Sequence, residues 1–354
     1  MPVTHCQATA PTRSLLDALL RRYGAGAPLS CQPVAEGLLN RGYRLCTTSG
    51  EFFLKHYLDA DEASIAHQHQ ATVRLDELGV PVAPPLADER GRTVAVFEER
   101  RFGLYPWVHG RHRNGTELSA DQAARLGALL GLVHTSLAEV QDTGTSDPEP
   151  PVPGRPRTSR YAAADPDDTD ALIGELLELV RRQSPRDAFD DLAERRLLER
   201  RALLDRLAHR RPRDGSQPEV GWVHGDFHPL NLLYRGSEPV AILDWDRLAE
   251  QPRAEEAVRA AAIFFLESEP SEGELDLAKV RRYARAYRQA AGVSPQELGA
   301  AVHRVWWERL NDFWTLRWRY QHLDRRADPL FPSTAALVVW WTREYEAVLE
   351  AFTA

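Results

Sequence analysis

Cysteine is scarce in this chain, and long apolar runs are absent. Its 354 residues include only Cys6, Cys31 and Cys46. They form no Cys-x-x-Cys pair and three thiols cannot all be paired, which argues against a disulfide scaffold or a cysteine zinc site and fits a reducing cytoplasm. The longest apolar runs, residues 260–266 and 335–341, fall far short of the ~20 residues that span a bilayer. The N-terminal stretch has no apolar core after a basic start, and residues 14–23 read as a short amphipathic helix, so export and membrane insertion are not expected. Positive charge is also in deficit. Lys and Arg number 44 against 52 Asp and Glu, a net charge of −8. A chain of that sign is repelled by nucleic acid and by anionic membrane, and neither is expected as a partner.

Against these absences stands a globular composition: 43% hydrophobic residues, with nine Trp, ten Tyr and eleven Phe. That is enough to build a core, and the length suggests two lobes. The first third reads mostly as strand. Residues 43–48 and 51–57 alternate apolar and polar around Ser49-Gly50, a hairpin signal. A helix over 61–78 places Ala71, Leu75 and Leu78 on one side until Gly79-Val80-Pro81 stops it. Short strands over 93–98 and 102–107 follow. Gly24-Ala-Gly26 follows a helix rather than a strand and so reads as a helix end, not a dinucleotide turn.

From Ser119 the pattern turns helical. Ser119 and Gln122 form a capping box, and Leu126, Leu129, Leu130, Val133 and Leu137 make an apolar stripe. His134 on that stripe reads as a satisfied core residue. Residues 141–169, rich in Pro and Asp, read as an exposed loop, and helices resume over 170–183 and 187–210. Short strands over 220–223, 232–234 and 240–243 interrupt them. After Pro252 the chain reads as helical, one late helix opening with a second capping box, Ser294 to Glu297, with Pro295 at its first position and Val293 and Leu298 as a hydrophobic staple. Trp306, Trp307, Trp314 and Trp318 are read onto that helix, with Val302, Trp306, Leu310 and Phe313 facing the core.

The segment that carries chemistry is His224-Gly-Asp226-Phe-His228-Pro-Leu-Asn231, with Ile242-Leu-Asp244-Trp-Asp246 beyond it. If the strands on either side of 235–239 pair antiparallel, Asn231 and Asp244 face each other at the open end. An amide oxygen and a carboxylate there suit a hard cation such as Mg²⁺ bearing phosphate oxygens. Asp226, five residues before Asn231, can receive a proton from an attacking hydroxyl, and Lys55 on its strand can clamp phosphates. Those are the parts phosphoryl transfer needs, because the protein's task is to position groups and neutralise charge. His224 and His228 stand i, i+4, but Gly225 and Pro229 break any helix that would aim both at one metal. Asp246 either supports the metal site or caps the following turn.

These residues resemble the aminoglycoside phosphotransferase and choline kinase family, with a homoserine-kinase-like flavour. The resemblance rests on the Asp-x-x-x-x-Asn spacing and the following Ile-Leu-Asp, and it covers most of the chain. It implies an α+β, two-lobe protein-kinase-like fold, with a nucleotide-binding lobe over residues 1–105 and a helical, catalytic and substrate-binding lobe over 106–354. It implies ATP and Mg²⁺ as cofactors and a small-molecule hydroxyl as acceptor. Asp226 becomes the catalytic aspartate, Asn231 and Asp244 the metal ligands and Lys55 the phosphate clamp. Residues 36–43, with Gly37 and Asn40, resemble the nucleotide-covering turn, and Tyr105 falls in the segment resembling the hinge. The family's glutamate partner for the lysine is replaced by Gln70, so Gln70, Glu62 or another acid must serve. Leu230 stands where a glycine is common. Glu308 and Asp312, one turn apart, either meet an amine on the acceptor or face solvent, while Arg309 and Arg317 raise the opposite option, a carboxylate-bearing acceptor. The alternative to a kinase is a catalytically silent protein that kept the fold to bind nucleotide or act as a scaffold. Gln70 favours it, and the Asp226, Asn231 and Asp244 set argues against it.

Overall fold

The computed structural model describes residues 11–34, 40–142, 161–213, 218–267 and 273–354. Gly37 and most of the 141–169 segment lie outside them. By internal contacts the chain divides into two units. The first runs to His112 and takes in Leu230–Leu248, and the second comprises Arg113–Pro229 and Ala249–Ala354.

The first unit is built on a five-stranded antiparallel sheet of β1 (Pro28–Val34), β2 (Arg41–Thr47), β3 (Gly50–Tyr57), β4 (Val94–Phe97) and β5 (Arg100–Pro106), in the order β1-β2-β3-β5-β4. β1 extends the expected set by one strand at the edge. β2 and β3 join through Thr48-Ser49, with Thr47 opposite Gly50. β4 and β5 join through Glu98 and Glu99, both at positive φ. That conformation matches the twist of a two-residue hairpin turn but is strained for side chains other than glycine. Leu45, Leu54, Phe102 and Leu104 form the apolar face with Leu16, Leu19 and Leu20 of α1 (Arg13–Arg22).

α2 (Glu62–Glu77) starts at Asp61, whose carboxylate accepts the Ser64 N–H at 2.9 Å. It buries Ile65, Gln68, His69, Ala71, Thr72 and Leu75, whereas Leu78, expected inside, is exposed beyond its last turn. The β-hairpin of β7 (Leu232–Arg235) and β8 (Glu238–Ile242) belongs to this unit rather than to the helical one. It is tied to it by Val82 against Ile242 and Arg111 against Tyr234.

In the second unit α3 (Ala120–Asp142) opens on the expected Ser119 and Gln122 box, and its leucine stripe is buried. α4 (Pro166–Arg181) begins earlier than the pattern suggested, because Asp165 caps it with Pro166 at the first position. α5 is Ala188–Leu207, and β6 (Val220–Val223) pairs with β9 (Ala249–Pro252), a strand absent from the sequence reading. α6 (Arg253–Phe264), α7 (Leu277–Ala291), α8 (Pro295–Asn311), α9 (Trp314–Tyr320), α10 (Phe331–Arg343) and α11 (Tyr345–Thr353) complete the unit. α3 lies tight on α7, since a Cβ added at Gly127 would sit 2.1 Å from the Tyr283 carbonyl oxygen. The Ser294 and Glu297 box caps α8 as expected, with Val293 and Leu298 buried. Trp314 and Trp318, however, lie on α9, because Asp312 adopts an extended conformation and ends α8.

Candidate active site

In the first unit, Lys55 sits on β3 between β2 and β5, with Gly42 and Gly103 as its strand neighbours. Lys55 is 8% exposed, and its ammonium donates to Asp244 Oδ1 at 2.5 Å and Asp246 Oδ1 at 2.7 Å. Burial opposes its charge, but the two carboxylates outweigh that and hold its pKa above the ordinary lysine value. The acid that replaces the family's glutamate is therefore not on α2. Gln70 is exposed and so is Glu62; the buried polar residues of that helix are Gln68, His69 and Thr72. Gln68 Nε2 donates to the Asp246 carbonyl at 3.2 Å. Gln68 and His69 are adjacent in sequence and neither spacing nor charge marks them, so sequence reasoning missed both.

Asp246 is fixed from one further direction. Asn40 Nδ2 donates to its Oδ2, while Asn40 Oδ1 accepts the Leu58 N–H at 3.1 Å. The residue expected at the nucleotide turn thus ties that turn to Asp246. Burial and the adjacent Asp244 charge push the Asp246 carboxyl above the usual range, against the pull of Lys55.

Asn231 and Asp244 do not stand opposite each other as the simple hairpin count predicts. β7 pairs with β8 as Leu232 to Ile242, with a register shift between Leu233 and Tyr234, and the Leu243 N–H donates to the Asn231 carbonyl at 2.8 Å. Asp244 therefore lies one residue past the pair, at φ 59. That left-handed turn is unfavourable for most side chains, and the Asp244 carboxyl remains 47% exposed. Asn231 is buried at the end of a 3₁₀ turn, Pro229–Asn231. Among the described residues no three His, Cys, Asp or Glu side chains form a metal cluster. The donor set still fits a hard divalent cation. Two carboxylates against one ammonium leave surplus negative charge, and Asn231 adds an amide oxygen of the class Mg²⁺ accepts.

Below Lys55 lies a ring of neutral polar groups. His69 Nε2 is 2.7 Å from the Tyr105 hydroxyl and 3.0 Å from the Tyr57 hydroxyl, and its Nδ1 is 2.8 Å from Thr93 Oγ1. Burial, reinforced by the field of Lys55, pulls His69 down to about 3, so the ring is neutral. The Tyr57 ring lies 5.1 Å from the Lys55 nitrogen, a cation–π contact. The Tyr105 hydroxyl is thus engaged under the lysine.

In the second unit, Asp226 follows β6 in the His224–Gly225–Asp226 loop. His224 is fully buried, and its Nδ1 accepts the Asp226 N–H at 3.2 Å. His228 Nε2 stands 3.6 Å from Asp226 Oδ2. Beneath the loop is Glu256 of α6, also buried. Its Oε2 accepts the His224 N–H at 3.2 Å and meets His134 Nε2 at 2.7 Å, while Oε1 accepts the Gly225 N–H. His134 Nδ1 reaches the Tyr287 hydroxyl at 3.1 Å. Burial alone would raise the Glu256 carboxyl, but the His134 hydrogen bond, the fields of His134 and His224 and the Gly225 N–H hold it below the ordinary range. His134 is the core residue the sequence suggested, and it also orients the acid that carries the Asp226 loop.

The two substrate candidates part company. Glu308 is paired with Arg259 at 2.7 Å. Asp312 accepts the Trp314 N–H at 3.0 Å at the end of α8.

A profile of the APH phosphotransferase enzyme family matches residues 30–293. Among curated proteins, a homoserine kinase of Neisseria meningitidis serogroup B is 29% identical over 125 residues, which is 35% of this chain and 40% of that protein. The match therefore spans less than half of that relative's length. A homoserine kinase of Parvibaculum lavamentivorans is 21% identical over 286 residues, 80% of this chain and 79% of the relative. Among solved structures, a spectinomycin phosphotransferase bound to ADP and spectinomycin superposes with a TM-score of 0.61 at 15% identity, covering 98% of both chains. Likeness at that identity establishes the two-lobe α+β kinase-like fold. No helix among the described residues is long and apolar enough to cross a membrane.

Proposed function

The chain belongs to the phosphotransferase enzyme family, and from that premise we propose that it moves the terminal phosphoryl group of ATP onto a hydroxyl of a small molecule with Mg²⁺ as its metal. The observation that carries the reading is the pairing of a buried strand lysine with two carboxylates just past the β7–β8 hairpin. A lysine so held is a fixed positive charge for the α- and β-phosphates, and the surplus acid is a seat for the metal. Asn231 and Asp244 are the residues that would hold Mg²⁺, which supplies charge neutralisation on the phosphate oxygens. Asp226 accepts the acceptor's hydroxyl hydrogen bond. As the acceptor oxygen bonds to the γ-phosphorus, the bond from that phosphorus to the β,γ-bridging oxygen breaks. ADP carries away that electron pair, and Asp226 takes the hydroxyl proton late. Glu256 and His134 fix the backbone from which Asp226 projects.

The relatives named homoserine kinase and spectinomycin phosphotransferase support an amino alcohol, amino sugar or aminoglycoside as acceptor. ADP release measured over L-homoserine, choline, amino sugars and aminoglycosides tests the reading. One acceptor should turn over with wild type, and Asp226→Ala should lower kcat by ~10²–10⁴-fold while Mg-ADP binding persists. Full turnover by Asp226→Ala would overturn its role.

A further inference from the structure

Away from the Asp226 loop, the second unit encloses a small cavity of about 50 Å³ walled by α5, the end of α8, α9 and α10. Its polar lining is unusual. Arg200 of α5 is 6% exposed, and its Nη1 caps α8 by donating to the Arg309 and Leu310 carbonyls at 2.6 and 3.0 Å. That use accounts for one nitrogen of the guanidinium. The side chain of Arg309 makes no hydrogen bond or ion pair among the described residues, and its Nε is buried without a partner. Neither arginine forms an ion pair among the described residues. The third arginine on the lining, Arg196, is committed to Glu199 at 2.6 Å.

Arg200 is buried and Arg309 half-buried, and a buried guanidinium without an ion-pair partner is costly. Arginine cannot relieve that cost by losing its proton. Burial pulls both Arg200 and Arg309 below the ordinary arginine value; the fields of Asp312 and Glu199 offset part of it at Arg200, and those of Glu308 and Asp312 part of it at Arg309. Asp312 is the acid on the lining, and its Oδ1 already accepts the Trp314 N–H. Phe313, Trp314 and Phe331 supply apolar wall. The space exceeds one water's share of liquid volume, ~30 Å³, and is too small for a sugar ring. Its walls therefore combine two arginines without ion-pair partners against one acid, a net positive charge, with a fork geometry suited to paired oxygens and room for one compact group.

We propose that this cavity is an oxoanion site, taking the carboxylate or phosphate group of a small molecule between Arg200 and Arg309. The inference needs no catalysis and stands apart from the phosphoryl-transfer reading.

The test is a thermal-shift titration of the full chain with inorganic phosphate and with acetate, at constant ionic strength and with Mg-ADP present throughout to occupy the nucleotide site. At least one anion should give a saturable rise in Tm. Arg309→Met should need at least tenfold more of that anion, while Arg317→Met, an exposed arginine outside the cavity, should titrate like wild type. Unchanged basal Tm in Arg309→Met would show that its fold is intact, and Arg309→Lys should recover part of the response if basal Tm falls. A response to phosphate alone assigns a phosphorylated ligand, and one to acetate alone a carboxylate; either supports the site. No saturable response to either anion in wild type, or an Arg309→Met titration matching wild type, overturns it. Since the readout is binding, a chain that phosphorylates no acceptor can still pass, and an active kinase can still fail.

Discussion

The molecule contains two carboxylate clusters that do opposite things with similar parts. Around Lys55, Asp244 and Asp246 share one ammonium, one of them half open to solvent, and negative charge exceeds positive. Around Asp226, Glu256 is wholly buried and spends its oxygens on two backbone N–H groups and a histidine. The first cluster has capacity to exchange partners, because a solvent-facing acid can turn from an ammonium to a cation at small cost. The second has none, since every partner it would lose leaves a buried donor unsatisfied, at ~1–3 kcal/mol each. On the proposed function, binding chemistry would sit on the exchangeable cluster, and the placement of Asp226 on the rigid one.

Removing the exchangeable acid tests this division most severely. Asp244→Ala should raise the Mg²⁺ needed for half-maximal nucleotide binding by at least tenfold and depress turnover with it, as read by Mg²⁺ titration at fixed ADP. A variant that binds Mg-ADP like wild type would place the metal elsewhere.

Glu256→Gln strikes the rigid cluster. The amide keeps one acceptor oxygen and puts an NH₂ in place of the other, so the His224 N–H or the Gly225 N–H faces a donor and the loop must shift. A displacement near 1 Å costs ~10²-fold in rate, and kcat should fall by ~10- to 10²-fold with nucleotide affinity nearly intact. The pH dependence has a definite sign. Because folding lowers the Glu256 pKa, its stabilisation is present above the ordinary glutamate value of ~4.3 and is lost as pH falls through the folded value. Wild type should therefore exceed Glu256→Gln in Tm at neutral pH, and the gap should close on acidification. A constant gap would mean that the charge of Glu256 carries nothing.

Asp246→Asn sharpens the comparison from within the first cluster. If a metal draws Asp244 away, Asp246 is the acid left to hold Lys55, and the amide holds it less well. The KM for ATP should rise about tenfold, roughly one charged hydrogen bond, with kcat less affected. An equal fall in kcat at unchanged KM would move Asp246 from nucleotide binding to the transition state.

How much of this could be read from sequence depended on how local the signal was. Capping boxes at Ser119 and Ser294, the α3 stripe and the β2–β3 hairpin are set by residues three or four apart, and they appear as expected. The Asp226 to Asn231 and Asp244 spacing was legible because one short segment holds it. The register shift in β7–β8 was not, since a one-residue slip leaves the pattern of residue types unchanged while moving Asp244 off Asn231. Glu256 was invisible for a different reason. It lies 30 residues beyond Asp226 in an alanine-rich helix, and only tertiary packing brings it under His224 and Gly225. The same holds for Asn40 and Asp246, more than 200 residues apart and joined by one hydrogen bond.

The smallest expected effect separates two glutamines on one helix. The family resemblance pointed to Gln70, but a helix turns 100° per residue, so positions 68 and 70 face nearly opposite ways. Gln68 is buried and holds the Asp246 carbonyl at 3.2 Å, while Gln70 is exposed. Gln70→Ala should leave the KM for ATP unchanged and shift Tm by less than ~0.5 kcal/mol equivalent, as surface substitutions do. Gln68→Ala removes one bond to the segment that carries Lys55's second acid, and should raise the KM by a few-fold with ~1 kcal/mol of stability lost. If Gln70→Ala were the damaging change, α2 would have to rotate in the working enzyme, and the Lys55 partners seen here would describe a resting arrangement.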